Sequence, residues 1–191
     1  RAIVEEEYPY PYCYCGCDAT ARGHEYYNIL FAHPSTGLGG KAQAEQAIDS
    51  ITYFTREWGD CVDNWSAHNS PSRAARNWGE HAMLVQASHY ACPPYTYTSY
   101  DALYRTTRQH VGGCLWHAFD HQRGYHPDPF YGGIMDVFRQ PKYAYYMFQA
   151  QRDTMQEDRP FQTGPMVHIA HEMTPFSPAD VTVFSNCDEV R

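Results

Sequence analysis

A chain of 191 residues, 43% of them hydrophobic, is long enough for one sizeable core or parts of two and too apolar to be disordered. Its net charge of −8, with no Lys/Arg-rich block, argues against nucleic-acid phosphates as the main partner. Aromatic residues make up 16%, with 17 tyrosines, a density that suits a ligand with flat apolar faces and polar edges, such as a sugar, or equally a tyrosine-rich core or interface.

No apolar run is long enough to span a membrane, and the first residue is Arg1. The last residues, Asn186 to Arg191, fall inside a strand-rich region, so both ends read as cut. Seven cysteines cannot all pair within the chain. Cys13, Cys15 and Cys17 form C-x-C-x-C, which lacks the two-to-four-residue spacing and second pair of a zinc site. Cys61, Cys92, Cys114 and Cys187 read as small buried hydrophobes.

In chain order, Ala2–Val4 reads as a short strand ending in Glu5-Glu6-Glu7 and a Pro-punctuated loop, Tyr8 to Tyr12. Tyr26–Ala32 is a strand or short helix, closed by Pro34 and the glycines from Gly37 to Gly40. Lys41–Ile48 has a helical pattern. Ile51–Thr55, apolar, β-branched and aromatic, is a buried strand. A polar loop, Val62–Asn69, leads to Ser70 as N-cap and Pro71 as first residue of a helix to Trp78, stopped by Gly79. A second helix over Glu80–Tyr90 carries Met83, Leu84 and Ala87 at core spacing. Tyr100–His110 is a third helical stretch, Val111–Phe119 a strand, and Asp120–Gly133 a long loop. Pro141 starts a helix to about Arg152. Beyond a boundary near Gln151–Gly164, Met166–Ala170 and Val181–Ser185 are short strands of sandwich type. The first part thus alternates strands and helices, and its elaborate loops follow strand ends, where a (β/α) barrel places its chemistry.

Three such loops are crowded with polar and aromatic groups: Glu5–Tyr12, Arg56–Asp60 and Trp116–Tyr131. A retaining glycosidase needs a nucleophilic carboxylate and a second carboxyl about 5–5.5 Å away, acting as acid and then base. It also needs a floor for the sugar ring and polar groups for its hydroxyls. Glu57 is the candidate carboxylate, with Arg56 available to keep it ionised and Trp58 beside it as a sugar-contacting indole. Trp116 is the candidate floor; His117, Asp120 and His121 are candidates to reach hydroxyls. Each also has a plainer reading. Glu57 would serve as a rim charge paired with Arg56, Trp116 as a core indole, Glu80 as a helix-start carboxylate, and Glu5–Glu7 as a solvated acidic run. His117 and His121 lie four apart, His126 follows, and His168 and His171 lie three apart. No H-E-x-x-H, G-x-S-x-G or phosphate-binding G-x-x-x-x-G-K-[ST] occurs, so no metal and no cofactor are expected.

The motifs in sequence order resemble glycoside hydrolase family 2. REWGD at 56–60 is similar to the strand-end motif of that family's nucleophilic Glu. The run from Gly112 to Asp120 is similar to its last barrel strand, G-x-x-x-W-x-x-x-D. The segment Gly133–Lys142 is similar to G-I-x-x-x-x-R-x-P-K before the final barrel helix. Gly164 to Val167 and Val181 to Val190 are similar to the opening of its following sandwich domain. The resemblance is good from about Glu57 onward and loose before it. It implies an α/β fold: the C-terminal portion, about strands five to eight, of a (β/α)8 TIM barrel over residues 1–155, then the first strands of an immunoglobulin-like β-sandwich over residues 164–191. It implies retaining hydrolysis of β-glycosides, with β-galactosides from polysaccharide breakdown as the expected substrates, Glu57 as nucleophile and Trp116 as subsite floor. It also implies a bacterial periplasmic or secreted location. The family's acid/base Glu follows an Asn; this chain has no Asn-Glu pair, so the acid/base is expected outside it. Two other classes remain at this point, a non-catalytic carbohydrate-binding module and a metal-dependent hydrolase. Partners are expected to be a carbohydrate, with neither nucleic acid nor membrane. A half barrel has open strand edges, so the remainder of its own chain, or another copy, is expected to complete it.

Overall fold

The structure, a computed structural model, describes residues 2–8, 10, 14–18, 21–31, 51–60, 70–91, 110–124, 127–154 and 164–191. The helical patterns over 41–48 and 100–109, the polar loop 62–69, most of the proposed boundary, Cys13, Cys61, Cys92, His126 and the side chain of Arg56 lie outside the described residues. Contacts divide the chain into two compact units, residues 1–59 with 92–116 and residues 60–91 with 117–191. Among the described residues, no helix is long and apolar enough to cross a membrane.

Among the described residues, the first unit is built on a sheet of four parallel strands in chain order: β1 (Cys15–Asp18), β2 (Ile29–Phe31), β3 (Thr52–Trp58) and β4 (His110–Leu115). Leu30 and Tyr53, both fully buried, pair across β2 and β3, with Cys17 and Ile51 packed against them. Helix α1 (Ala2–Glu7) replaces the strand expected at Ala2–Val4. Its Ala and three Glu favour a helix, and a strand there would need a partner. The strand expected at Ile51–Thr55 runs on through Glu57 to Trp58.

The pairing of β3 with β4 slips twice. Tyr53 to Thr55 faces His110 to Gly113, an extra residue in β4; Thr55 to Trp58 faces Gly113 to Leu115, an extra residue in β3. Such irregularities re-aim the side chains that follow. Gly113 makes the close approach possible: a Cβ there would sit 2.9 Å from the Thr55 carbonyl oxygen and 3.0 Å from the Trp58 indole.

The second unit packs helix α2 (Glu80–Ala91) against α3 (Tyr143–Gln149), with Met83, Ala87, Tyr90, Ala144 and Met147 buried between loops and helices. The helix expected from Pro71 to Trp78 is instead a turn and a 3-10 helix, Arg76–Trp78. Its backbone is engaged elsewhere. The Ser72 carbonyl accepts from Gln86 Nε2 (2.9 Å) and the Tyr90 hydroxyl (3.3 Å), and Ala74 N–H donates to the Tyr131 carbonyl. Backbone groups satisfied by distant partners have no need of an i→i−4 ladder. The long loop expected from Asp120 does form, and isolated bridges Phe119–Met135, His121–Phe130 and Met135–Pro141 organise it.

Strands β5 (Val167–Ala170) and β6 (Thr182–Ser185) form an antiparallel pair near the expected positions. The His168 ring stacks on Tyr146 at 3.4 Å and 7°. The connecting loop is held by Glu80, whose Oε1 accepts from the Glu172 N–H at 2.6 Å while Oε2 accepts from the Ser177 hydroxyl. Glu80 thus does more than start a helix. These hydrogen bonds, that of Ser177 foremost, hold its carboxyl below the ordinary value of 4.5. A depressed folded pKa means stabilisation that is complete above the ordinary value and lost as pH falls through the folded one. Amide protection in the 171–178 loop, measured against the intrinsic exchange rate at each pH, should therefore fall below about pH 4.5, and Glu80→Gln should remove that pH dependence. A loop equally protected at pH 3 and pH 7 would contradict the anchor.

Cys15 and Cys114 are exposed thiols and Cys17 and Cys187 are half-buried, so Cys114 and Cys187 are not the fully buried hydrophobes expected.

Candidate active site

Glu57, Trp58 and Trp116 belong to the first unit; His117, Asp120 and His121 belong to the second. In the first unit, strict alternation from the buried Tyr53 and Thr55 would turn residue 57 to the buried face of β3. The slip between Thr55 and Trp58 prevents this: Glu57 is exposed and the Trp58 side chain is buried, 4% exposed. Trp116 follows β4 directly, and its N–H donates to the Trp58 carbonyl at 2.8 Å. That bond carries the β3–β4 pairing one residue beyond Leu115 and holds the Trp116 backbone beside the end of β3. The Trp116 side chain is 37% exposed. A carboxylate and a partly exposed indole thus share the C-terminal ends of adjacent parallel strands.

Beneath them, His110 opens β4. Its Nε2 and Thr55 Oγ1 share a buried hydrogen bond of 2.7 Å, and burial pushes its pKa down, so the ring is neutral at pH 7. Sequence reading passed over His110 because it ended a helical pattern.

In the second unit, the rings of His117 and His121 meet edge to face at 4.7 Å. The Nδ1 atoms of both lie near the Phe119 carbonyl oxygen, at 2.9 and 3.2 Å. Asp120 lies between them in sequence and is 5% exposed. Its Oδ1 accepts from Lys142 Nζ at 2.7 Å and from the Gly133 N–H at 3.0 Å. Burial pushes the Asp120 carboxyl up and the Lys142 ammonium down, and their mutual attraction opposes both shifts. Lys142 is fully buried and also donates to the Tyr131 carbonyl at 3.1 Å. Asp120 therefore grips the loop that follows it. Gly133 is the only residue type that fits here: a Cβ would lie 2.2 Å from the Asp120 nitrogen and 2.3 Å from the Phe119 carbonyl carbon.

Further ion pairs extend the framework. Arg73 forks onto Asp60, Nη2 to Oδ2 at 2.9 Å and Nε to Oδ1 at 3.2 Å, and the Ser72 hydroxyl adds a 2.7 Å bond. Arg76 Nε donates to Asp136 Oδ2 at 2.9 Å. Burial tends to raise the Asp136 carboxyl, but hydrogen bonds from the Gln140 N–H, Arg76 and the Phe138 N–H outweigh it, so its pKa is lowered. Gln86 Nε2 reaches the Gly133 carbonyl at 3.2 Å and the Tyr90 hydroxyl reaches that of Gly132 at 3.2 Å. None of Arg73, Gln86 or Lys142 was singled out from sequence as a site residue; of these, Lys142 alone had a signal, its place at the end of the Gly133–Lys142 segment. Among the described residues, no group of three His, Cys, Asp or Glu side chains is placed to hold a metal ion.

No family model matches the chain. A beta-galactosidase of Thermoanaerobacter pseudethanolicus (strain ATCC 33223 / 39E) is 34% identical to it over 89 residues. The match covers 42% of this chain and 11% of that relative. Part of the chain is thus loosely related to a glycosidase, and it spans a small share of the relative's length.

Proposed function

We propose that this chain is part of a retaining β-glycosidase of glycoside hydrolase family 2, acting on β-galactosides. It would form the C-terminal portion of a (β/α)8 barrel and the start of an immunoglobulin-like sandwich. The observation that carries the reading is the slip in β3, which exposes Glu57 at the C-terminal end of a strand in an in-order parallel sheet, beside Trp116. The C-terminal strand ends are where such barrels hold their chemistry. The similarity to a beta-galactosidase supports the same class.

In this mechanism Glu57 attacks the anomeric carbon as a carboxylate while an acid supplied by another part of the protein protonates the departing oxygen. Water then cleaves the glycosyl-enzyme, with that same group acting as base. Trp116 offers indole surface to the C–H face of the sugar, whereas Trp58, 4% exposed, keeps little surface for the sugar contact expected of it. In the second unit, Asp120, through Lys142 and Gly133, fixes the loop that carries His117 and His121.

Proton NMR of the first-formed product from an aryl β-galactoside tests the reaction class in the intact protein. Appearance of the β-anomer before mutarotation is expected. Initial α-anomer would overturn retention, and binding without turnover would turn the reading into that of a carbohydrate-binding module.

A further inference from the structure

The first unit holds a cleft of about 870 Å³ whose walls include Tyr8, Tyr14, Tyr26, Tyr27, Arg22 and Glu25. We infer that this cleft is an accessory binding site for a neutral saccharide, at the end of the sheet opposite to Glu57. Its position follows from strand direction. Tyr14 immediately precedes β1, and Tyr26 and Tyr27 lie just before β2. The Tyr14 carbonyl accepts from the Asn28 and Ile29 N–H groups at 3.0 and 3.1 Å, which fixes it where β2 begins. All four strands are parallel, and Cys15 pairs with Ile29, which pairs with Thr52. Glu57 lies five residues further along β3, roughly 17 Å at about 3.3 Å per residue. The cleft therefore opens at the N-terminal edge of the sheet, and Glu57 marks the other edge.

The walls have the chemistry of sugar recognition. Tyr8, Tyr26 and Tyr27 keep 51%, 55% and 37% of their surface exposed around a concavity. Their ring faces can take the C–H face of a pyranose and their hydroxyls its polar edge. The Tyr14 hydroxyl donates to the Tyr8 carbonyl at 3.1 Å, joining the end of α1 to the entry of β1. Gly23, at φ 92°, leads into the 3-10 turn His24–Tyr26 that carries Glu25 and Tyr26. Arg22 offers a fork of donors and Glu25 two acceptors. With both charges on one cleft, an anionic ligand meets Glu25 and a cationic one meets Arg22, whereas a neutral polyol can use both. The choice of a saccharide rests on the glycosidase reading; the cleft and its position do not.

Calorimetric titration of the intact protein with β-1,4-galactotetraose tests the site. It is run with Glu57→Gln to stop hydrolysis and Trp116→Ala to remove the stacking surface at the other end. Residual binding is expected, and Tyr8→Ala with Tyr26→Ala should weaken it at least tenfold. Glu25→Gln, which leaves the fold least disturbed, should weaken it by a smaller factor, and none of these three changes should alter turnover of a small aryl galactoside when Glu57 is intact. No residual binding, or residual binding indifferent to the tyrosines and Glu25, overturns the site. Tyrosine-dependent binding in a protein whose Glu57-intact form shows no turnover keeps the cleft and removes the glycosidase reading.

Discussion

Replacement of Glu57 by alanine in the intact protein is expected to lower kcat/KM on aryl β-galactosides on the order of 10⁴-fold or more. That is a loss of about 5 kcal/mol or more of transition-state stabilisation. The size follows from the role proposed for the carboxylate. A nucleophile that forms a covalent intermediate is used in both halves of the reaction, so its removal blocks a step instead of weakening one. The exposed position of Glu57, set by the β3 slip, means that the change removes little packing and should leave the melting temperature near that of the parent. Added azide should enter the space left by the carboxylate and give a glycosyl azide of inverted configuration, restoring turnover. A fall of less than tenfold would place Glu57 among the rim charges.

Lys142→Met should have the largest effect on stability. The change leaves the Asp120 carboxylate buried with the Gly133 N–H as its remaining donor among the described residues, and breaking a buried pair from one side costs about 3–5 kcal/mol. Denaturant unfolding at pH 7 reads this as a lower midpoint with an unchanged slope. The sign of the pH dependence follows from burial, which already pushes the Asp120 carboxyl above its ordinary 3.8. Without Lys142 that folded pKa rises further, so the deficit is full above it and shrinks as pH falls and Asp120 takes up a proton. Adding Asp120→Asn should recover part of the loss at pH 7, since no charge is then left unpaired. A single variant within about 1 kcal/mol of the parent, a value typical of exposed pairs, would show the pair to be dispensable.

Where local chemistry decides structure, it could be read from the chain. Ile51 to Thr55 is β-branched and aromatic, and it begins β3; Met83 and Ala87 recur at helical spacing, and they are buried on α2. The strands β5 and β6 lay within one residue of expectation at each end. Features that depend on distant partners were not legible. The turn at 70–75 looks like a helix start because Ser70 and Pro71 suit one, but Gln86 and Tyr90 claim its backbone. Nothing near Asp120 announces that its partner is Lys142, 22 residues on. The exposure of Glu57 depends on a slip of pairing against β4, whose own extra residue lies more than fifty positions away. A period-2 reading of β3 alone would have turned that carboxylate inward.

The identity of the nucleophile is read most directly by trapping it. Incubation of the intact protein with an activated 2-deoxy-2-fluoro-β-galactoside should accumulate the glycosyl-enzyme, because the fluorine slows its hydrolysis. Proteolysis and tandem mass spectrometry should then find the fluorosugar as an ester on the Glu57 side chain, within the sequence SITYFTREWGD. Label on a peptide lacking Glu57 would contradict the assignment.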